Sequence, residues 1–377
     1  MKTKKWLMMA LAVMFALSLV PVAWAQPAPK KTITWRLNTP FSEEHGWSAG
    51  LPYFVELVTK HTGGQLDIKL FYKNTLGYKG REIMRVLKEG LVEMSRIGTT
   101  VVAKEVAPWW KYQDFGLAYR TGEHQEEVLK QIRPLIEKDV AEYGGVKVAS
   151  VFELNGGYCH LHGIWSNREV RSLDDVKGLK MRLYFMEAKP YVWDKAGIDA
   201  IYMSSSEAFM ALKTGVIDAI YRTVSSGYIY HYDEIAKYWC AIQPAAPCPE
   251  ILGISEKHFN ALPEDVQKGL LKAAQEWETW LTEEVRKNYE KYIPGPGGKV
   301  TDAMAVKVLK EKGVVINTVP EITDKLTELT IDGLKQWAVK TGPRAQEVVD
   351  ITLKLREEHP EWKNPVLEEL RQQARSK

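Results

Sequence analysis

The middle of the chain carries its most regular pattern of apolar and polar positions. Apolar and polar residues alternate over 179–184, which is the period of a half-buried strand and places Arg182 on the polar face near the strand's end. A helix is predicted from about 187 to 196, and Gly197 is expected to end it. A short apolar segment over 201–203 follows.

A second helix and a strand complete this region. The helix is predicted to begin at the serine run 204–206, whose hydroxyls can cap it, and to end at Gly215. A strand over 217–220 then brings Tyr221 and Arg222 to its carboxyl end. Because ligands of open α/β sheets bind beyond the carboxyl ends of strands, two strands are expected to present two guanidinium groups to one crevice. The alternative is that each arginine is a solvated or salt-bridged structural residue.

The first half alternates strands and helices, which is typical of a parallel or mixed sheet covered by helices. The predicted elements are a strand over 32–37, a helix over 47–61, a strand over 66–72, a helix over 81–89 and a strand over 92–97. A strand over 146–154 is interrupted by Asn155, Gly156 and Gly157, which predicts a hinge. A second crossing is predicted over 243–249.

The last third is predicted to be helical. One helical pattern runs from Glu264 to about Tyr292, and its length of about 40 Å at 1.5 Å per residue is enough to lie across two lobes. Charged helices from about Thr323 and Arg344 are predicted as solvated covering elements.

The length of the chain favours two lobes. The 377 residues exceed what one hydrophobic core usually supports. Residues 26–154 with 246–285 are predicted to form lobe I, and residues 155–245 with 286–377 to form lobe II, which includes the C-terminal helices.

The N-terminus predicts export. Three lysines among the first five residues precede an apolar run over 6–22, which Ala23, Trp24 and Ala25 close. This is the pattern of a signal peptide over 1–25, cut before Gln26 and giving a soluble periplasmic protein. An uncleaved membrane anchor is the alternative, although the run is short for a spanning helix.

The net charge argues against nucleic-acid binding. The formal net charge is +3, and loss of the three lysines and no acids in the signal peptide leaves about zero. A near-neutral chain without a basic run interleaved with aromatics lacks the electrostatic footprint of a nucleic-acid-binding protein.

The three cysteines permit one disulfide, which the sequence alone does not establish. Cys240 and Cys248 flank a proline-rich loop and can pair in an oxidising compartment, which would leave Cys159 over. The Cys159–His162 segment resembles a fragment of a metal site, but no second ligand cluster stands at the required spacing, so no metal is predicted there.

Two motifs carry a resemblance to a known family. They are Val-Lys-Gly-Leu-Lys-Met-Arg over 176–182 and Ser-Glu-Ala-Phe-Met-Ala-Leu-Lys-Thr-Gly-Val-Ile-Asp-Ala over 206–219. In sequence, order and spacing they resemble the extracytoplasmic solute receptors of tripartite ATP-independent periplasmic (TRAP) transporters, the DctP-like family. Residues 62–68 resemble it too. The resemblance implies an α/β fold, namely a two-lobe periplasmic binding protein with mixed sheets, a hinge and a long helix spanning both lobes.

The resemblance also implies a ligand and a site. Members of this family hold an organic acid with an arginine at the position of Arg182, whose planar fork can donate two parallel hydrogen bonds to a carboxylate. The chain departs from the sialic-acid type at four positions, which are Arg222 and Phe185 in place of asparagines, His162 in place of an arginine, and Ser205 in place of an aromatic residue. These changes indicate a ligand poorer in hydroxyls than a sugar acid: aromatic, aliphatic or a dicarboxylate.

Metal-assisted binding is disfavoured by the same comparison. Some relatives use an acidic metal ligand after the strand that here delivers Tyr221 and Arg222, so no metal and no cofactor is predicted, with Glu250 as the alternative ligand. Tyr78, Asn155 and Glu250 complete the predicted substrate-binding set. The opposite wall is expected to include Tyr78 and three further aromatics, for which core packing is the alternative. These three are Trp109, Trp110 and Phe115.

Three classes of function follow. The first is a receptor that closes its lobes on a carboxylate and passes it to TRAP membrane permease subunits. The second is a periplasmic sensor partner, which the sequence does not separate from the first. The third is an exported enzyme, which the absence of G-x-S-x-G, H-E-x-x-H and paired-carboxylate motifs disfavours. The receptor is the predicted function, as a monomer or a dimer.

Overall fold

A computed structural model contains two β-sheets, one of five strands and one of six. It describes residues 32–43, 48, 50–153, 161–244, 249–285 and 301–376. The strands are β1 (Ile33–Asn38), β2 (Leu66–Phe71), β3 (Met94–Gly98), β4 (Val146–Phe152), β5 (Leu161–Ser166), β6 (Lys180–Leu183), β7 (Asp199–Tyr202), β8 (Ala219–Thr223), β9 (Tyr238–Pro244), β10 (Glu250–Ser255) and β11 (Val315–Thr318). The predicted signal peptide lies outside the described residues.

Helices cover both sheets. They are α1 (Leu51–Thr62), α2 (Ile83–Glu89), α3 (Thr99–Val102), α4 (Gly122–Tyr143), α5 (Ser205–Lys213), α6 (Val224–Ile229), α7 (Glu256–Asn260), α8 (Glu264–Trp280), α9 (Asp302–Glu311), α10 (Pro320–Thr341), α11 (Pro343–Glu358) and α12 (Pro365–Arg375). Among the described helices, none combines the length and the apolar character that a bilayer span needs. The mixed α/β class and the two-lobe architecture predicted from the sequence are confirmed.

The two sheets exchange strands through two crossings of the chain. The first sheet has the order β2-β1-β3-β10-β4, and the second has the order β11-β9-β5-β8-β6-β7. The chain therefore changes sheet between β4 and β5 and returns between β9 and β10, the two places where crossings are predicted. The hydroxyl of Thr99 donates to the carbonyl of Pro249 at 2.7 Å, which fixes the end of the second crossing beside β3. The hinge residues Asn155, Gly156 and Gly157 lie outside the described part of the chain, and the exact lobe boundaries stay a prediction.

Each sheet contains a run of three neighbouring parallel strands at one of its sides. In the first sheet β1 is parallel to β2 and to β3. In the second sheet β6 is parallel to β7 and to β8. The carboxyl ends of β6, β7 and β8 therefore meet at one edge, as ligand binding at such an edge requires.

The predicted helix over 187–196 is only partly formed. The structure has a single π-helical turn there, Lys189–Trp193, with turns on both sides. A helix beginning at 187 would need the backbone N–H of residue 190, which proline lacks. Gly197 ends the segment in a left-handed conformation, with φ of 77°, as predicted.

The predicted strand over 217–220 is displaced by two residues. The last turn of the preceding helix continues, because the N–H groups of Val216 and Ile217 both donate to the carbonyl of Ala211, at 2.9 and 3.3 Å. Strand β8 therefore begins only at Ala219. As a result, Tyr221 lies within the strand rather than after it.

The helix predicted over 264–292 is α-helical only as far as Trp280, and a π-helical turn, Leu281–Val285, follows. Its described part packs on α1 and on β4 of the first sheet, where the Trp277 ring lies 5.5 Å from the ring of Phe54 in α1 and 5.0 Å from that of Phe152 in β4. The predicted continuation across both lobes lies beyond the described residues.

The C-terminal helices are core elements, so their prediction as solvated covers is wrong. Helices α10 and α11 bury an apolar stripe against α4, the 3-10 segment Pro108–Asp114 and the π-helical turn Lys189–Trp193. The buried members of this stripe include Ile322, Leu326, Leu334, Trp337, Val348, Val349 and Leu355. Charged residues on the outer faces of these helices conceal the stripe in the sequence.

Cys240 takes no part in the disulfide that the sequence left open. Cys240 is a free thiol, 1% exposed, in β9 between β5 and β11. Strand β9 stays extended as far as Pro244 and carries the chain away from this thiol. Cys248 and Cys159 lie outside the described residues.

A buried histidine under α11 makes stability depend on pH. Nδ1 of His124 accepts from the N–H of Arg120 at 3.2 Å, and Nε2 lies 2.9 Å from the carbonyl of Thr352, so the ring is neutral with its proton on Nε2. Burial lowers the pKa of His124 to about 4, and the nearby positive charges of Arg356 and Arg120 act in the same direction. The unfolded chain binds a proton here below its ordinary pKa of about 6.5, whereas the folded chain does not until about pH 4. Stability is therefore lost as pH falls through this window.

The variant His124→Gln is expected to remove about 2.5 kcal/mol of the wild-type loss of stability between pH 7 and pH 4.5. Glutamine can keep both hydrogen bonds but cannot titrate. Urea unfolding at the two pH values measures this difference. The exposed His231 provides the matched control, and His231→Gln should lose as much stability as the wild type. An equal loss in His124→Gln would contradict the assignment.

Candidate functional site

Arg182 lies at the carboxyl edge of the second sheet, on a strand with neighbours on both sides. In register it faces Ile201 of β7 and Ile220 of β8. It is 1% exposed, and its Nε donates to the carbonyl of Met203 at 2.8 Å. The predicted half-exposed polar position is therefore fully buried, with the direction of its guanidinium fixed by the end of β7.

Arg222 shares the same face of the sheet. It stands two residues beyond Ile220 in β8, and the alternation of a strand puts residues two apart on one face. Burial first, and then the positive charge of Arg222, lower the pKa of Arg182 to about 10, so Arg182 is still a cation at neutral pH. Two like charges this close are stabilised by an anion.

Four tyrosines surround the two arginines. The guanidinium carbon of Arg182 lies 5.5 Å from the ring centroid of Tyr184, and that of Arg222 lies 5.1 Å from the ring of Tyr230. The hydroxyls of Tyr232, Tyr184 and Tyr202 oppose the lowering of the pKa of Arg182. We call this group the arginine–tyrosine cluster; its members are Arg182, Arg222, Tyr184, Tyr202, Tyr230 and Tyr232. The sequence predicted both arginines but none of these tyrosines as site residues. Tyr184 and Tyr202 stand at the carboxyl ends of β6 and β7, and Tyr230 and Tyr232 follow α6, the helix after β8.

His162 and Tyr221 lie on the opposite face of the sheet. Tyr221 alternates with Arg222 along β8, and its ring stacks on His162 at 5.2 Å and packs on Trp193 at 5.0 Å. Burial raises the pKa of Tyr221, and the side chain of Gln243 partly offsets this. The structure therefore does not bring these two predicted site residues together with the two arginines, and a ligand role for them stays a prediction.

The remaining predicted residues of this lobe are described only in part. Phe185 is half-buried and packs edge-to-face on Tyr184, with ring centroids 4.9 Å apart. Ser205 is the first residue of α5, which Ser204 caps by accepting from the N–H of Glu207. The side chain of Ser205 and all of Asn155 lie outside the described structure.

The family follows from a profile match over most of the chain. The model of the DctP family, bacterial extracellular solute-binding proteins of family 7, matches residues 37–326. The chain belongs to this family. The resemblance recognised in the two motifs is thereby confirmed, and the family is one of solute-binding receptors.

Curated members of the DctP family match most of the chain at low identity. The C4-dicarboxylate-binding periplasmic protein DctP of Rhodobacter capsulatus is 23% identical over 339 residues, 87% of this chain and 90% of that protein. The 2,3-diketo-L-gulonate-binding periplasmic protein YiaO of Escherichia coli is 25% identical over 242 residues, 64% of this chain and 72% of that protein.

Solved structures share the fold. DctP7, a Bordetella pertussis extracytoplasmic solute receptor binding pyroglutamic acid, superimposes with a TM-score of 0.68 at 19% identity and covers 85% of this chain and 99% of its own. At this identity the likeness establishes the DctP-family fold.

Glu250 lies at the corresponding edge of the first sheet. As the first residue of β10 it faces Gly98 of β3 and Phe152 of β4 in register. Its Oε2 lies 3.1 Å from a terminal nitrogen of Arg96, and both side chains are buried. Burial raises the pKa of Glu250 to about 7, although Arg96 opposes this. Recruiting Glu250 to a metal would require breaking this ion pair, and its role as a ligand residue stays a prediction.

The aromatic residues expected on the opposite wall have structural contacts. The indole N–H groups of Trp109 and Trp110 donate to Oδ2 of Asp139 at 2.5 and 3.0 Å. Phe115 packs on Tyr191 and Trp337. These contacts favour the packing alternative for all three. Tyr78 is half-buried against the same core, and its role in binding stays a prediction.

No group of three or more histidine, cysteine, aspartate or glutamate residues is arranged to hold a metal ion in the part of the chain that the structure describes. The family and fold are those of receptors, and the site chemistry is that of two cations and phenolic rings.

Proposed function

We propose that this protein is a periplasmic receptor that binds a small organic acid in a cleft between its lobes, through a salt bridge to Arg182, and delivers it to TRAP membrane permease subunits. One observation carries the proposal: two cationic guanidinium groups lie close together at the carboxyl ends of neighbouring parallel strands. Such an edge is where α/β proteins place ligands.

The electrostatics of Arg182 support an anionic ligand. Burial and the charge of Arg222 both disfavour its charged form, which lowers its pKa to about 10. A carboxylate would relieve this cost, and a planar guanidinium can donate two parallel hydrogen bonds to it. The hydrogen bond from Nε of Arg182 to the carbonyl of Met203 fixes the orientation of the planar guanidinium in the absence of a ligand.

The named relatives support the same class of ligand. The C4-dicarboxylates, 2,3-diketo-L-gulonate and pyroglutamic acid in their names are all carboxylic acids. A ligand that contacts both lobes favours the closed form by its differential affinity, and the closed form would then be recognised by the permease.

A thermal-shift screen of residues 26–377 against small organic acids tests the proposal, with one arm treated with EDTA and one supplied with calcium. An acid present at 100 times its dissociation constant should stabilise the native state by about 2.7 kcal/mol and raise the melting midpoint in both arms. A response only with calcium would contradict a metal-free arginine site. No response to any acid would contradict the receptor proposal itself.

A further inference from the structure

The exposed aromatic residues of the protein are concentrated at one place. In the described part of the chain, only three aromatic side chains are among the exposed large hydrophobic residues: Tyr184 at 47%, Tyr202 at 53% and Tyr230 at 47%. All three belong to the arginine–tyrosine cluster. Because tyrosine rings carry a large apolar surface, a concentration of exposed rings marks a surface that another molecule covers.

The rings are arranged around one edge of the sheet. Tyr184 directly follows β6, Tyr202 ends β7, and Tyr230 follows α6, the helix that continues from β8. The ring centroids of Tyr184 and Tyr202 are 6.3 Å apart. Since β7, β6 and β8 are adjacent, the three rings flank the carboxyl ends of three neighbouring strands.

The distances between the tyrosine rings and the two guanidinium groups indicate which part of a bound ligand would contact the rings. The rings of Tyr184 and Tyr230 lie 5.5 and 5.1 Å from the two guanidinium carbons. A carboxylate bound by these guanidiniums would therefore place the atoms attached to it beside the rings. Aromatic rings pack on one another in offset-stacked or edge-to-face geometry at such separations.

The same surroundings are poorly suited to a polyhydroxylated acid. Each hydroxyl that enters a site without a hydrogen-bond partner loses its bonds to water at a cost in free energy. Ring faces give no such partners, and a cluster of two arginines and four tyrosines has donors only at the guanidiniums and phenolic oxygens.

We infer that the acid bound at this site has a flat, aromatic body, which packs on Tyr184 and Tyr230 while its carboxylate pairs with Arg182 and Arg222. This inference rests on the proposed receptor function and narrows its ligand to aromatic acids. Tyr202 closes the side of the site next to β7.

Three probe acids with one carboxylate each test the inference by isothermal titration: phenylacetate, cyclohexylacetate and gluconate. The first two differ only in the aromaticity of the ring. We expect phenylacetate to bind about fivefold tighter than cyclohexylacetate, from one aromatic contact worth about 1 kcal/mol, and gluconate to bind more weakly than both.

Leucine variants test whether the rings of Tyr184 and Tyr230 cause the preference for phenylacetate. Tyr184→Leu and Tyr230→Leu should each reduce the preference for phenylacetate over cyclohexylacetate, because leucine keeps the apolar contact and removes the aromatic one. Tyr53→Leu, in α1 on the other sheet, is the matched control and should keep the wild-type preference. The melting midpoint of each variant verifies that it folds.

The outcomes separate this inference from the proposed function. Equal affinity for phenylacetate and cyclohexylacetate, tighter binding of gluconate, or an unchanged preference in both tyrosine variants would overturn the aromatic ligand while leaving the receptor standing. Failure of every acid to bind the wild type, or unchanged binding in Arg182→Ala, would overturn the receptor proposal.

Discussion

Replacing Arg182 with alanine is expected to weaken binding of the best acid of the panel by more than about a hundredfold, because truncating one partner of a buried, hydrogen-bonded charge pair costs about 2–5 kcal/mol or more. The fold should persist, since the removed charge is one whose pKa burial and Arg222 already lower. Isothermal titration of the purified variant, with its melting midpoint as a measure of folding, gives both quantities.

Two variants control this prediction. Arg182→Lys keeps the charge but loses the planar fork and the bond from Nε to Met203, so its affinity should lie between those of the wild type and the alanine variant. Arg171→Ala removes an exposed arginine that pairs with Glu169, and it should bind like the wild type. Wild-type affinity in Arg182→Ala, or an equal loss in Arg171→Ala, would exclude Arg182 as the anchor of the carboxylate.

The local pattern placed Arg182 on a strand and the family resemblance made it the candidate ligand residue, but neither predicted its environment. Alternation over 179–184 predicts a strand with one solvated face, and the strand is where it was predicted. Yet β6 lies between β7 and β8, with helices on both faces of the sheet, so Arg182 is buried. Strand order is a long-range property that alternation along one strand does not contain.

The predicted start of β8 was wrong by two residues, and this error changed the predicted side of the sheet for one residue. The sequence places Tyr221 and Arg222 after a strand that ends at 220, where both can turn towards one crevice. In the structure both lie inside β8, and the period of two then sends them to opposite faces. Only Arg222 remains beside Arg182, while Tyr221 packs on His162 and Trp193.

The sequence did not predict the tyrosines of the cluster because they lie on separate segments of the chain. Tyr184, Tyr202 and Tyr230 are separated along the chain, and each alone is an ordinary tyrosine near the end of an element. They become neighbours only because β7, β6 and β8 are adjacent and parallel. The order of these strands, rather than any residue pattern, assembles the aromatic surface.

The C-terminal helices were wrongly predicted as solvated covers because their burial also depends on elements that are distant in the sequence. Their outer faces are charged, and their apolar stripe becomes visible as core only when α4 and the 3-10 segment Pro108–Asp114 are placed against it. Asp139 of α4 joins these parts. It is 3% exposed, accepts from the indole N–H groups of Trp109 and Trp110, and pairs with Arg344 of α11.

Replacing Asp139 with alanine is therefore expected to lower the free energy of unfolding by about 3–5 kcal/mol, because two buried indole donors and one guanidinium lose their common acceptor. The melting midpoint should fall by about 5–10 °C. Glu142 offers a matched control on the same helix, since it binds the same Arg344 at 2.8 Å with a side chain that is 55% exposed. Glu142→Ala should cost less than about 1 kcal/mol, because exposed ion pairs contribute little. Similar losses in the two variants would contradict the role of the buried carboxylate in holding α11 against the 3-10 segment Pro108–Asp114.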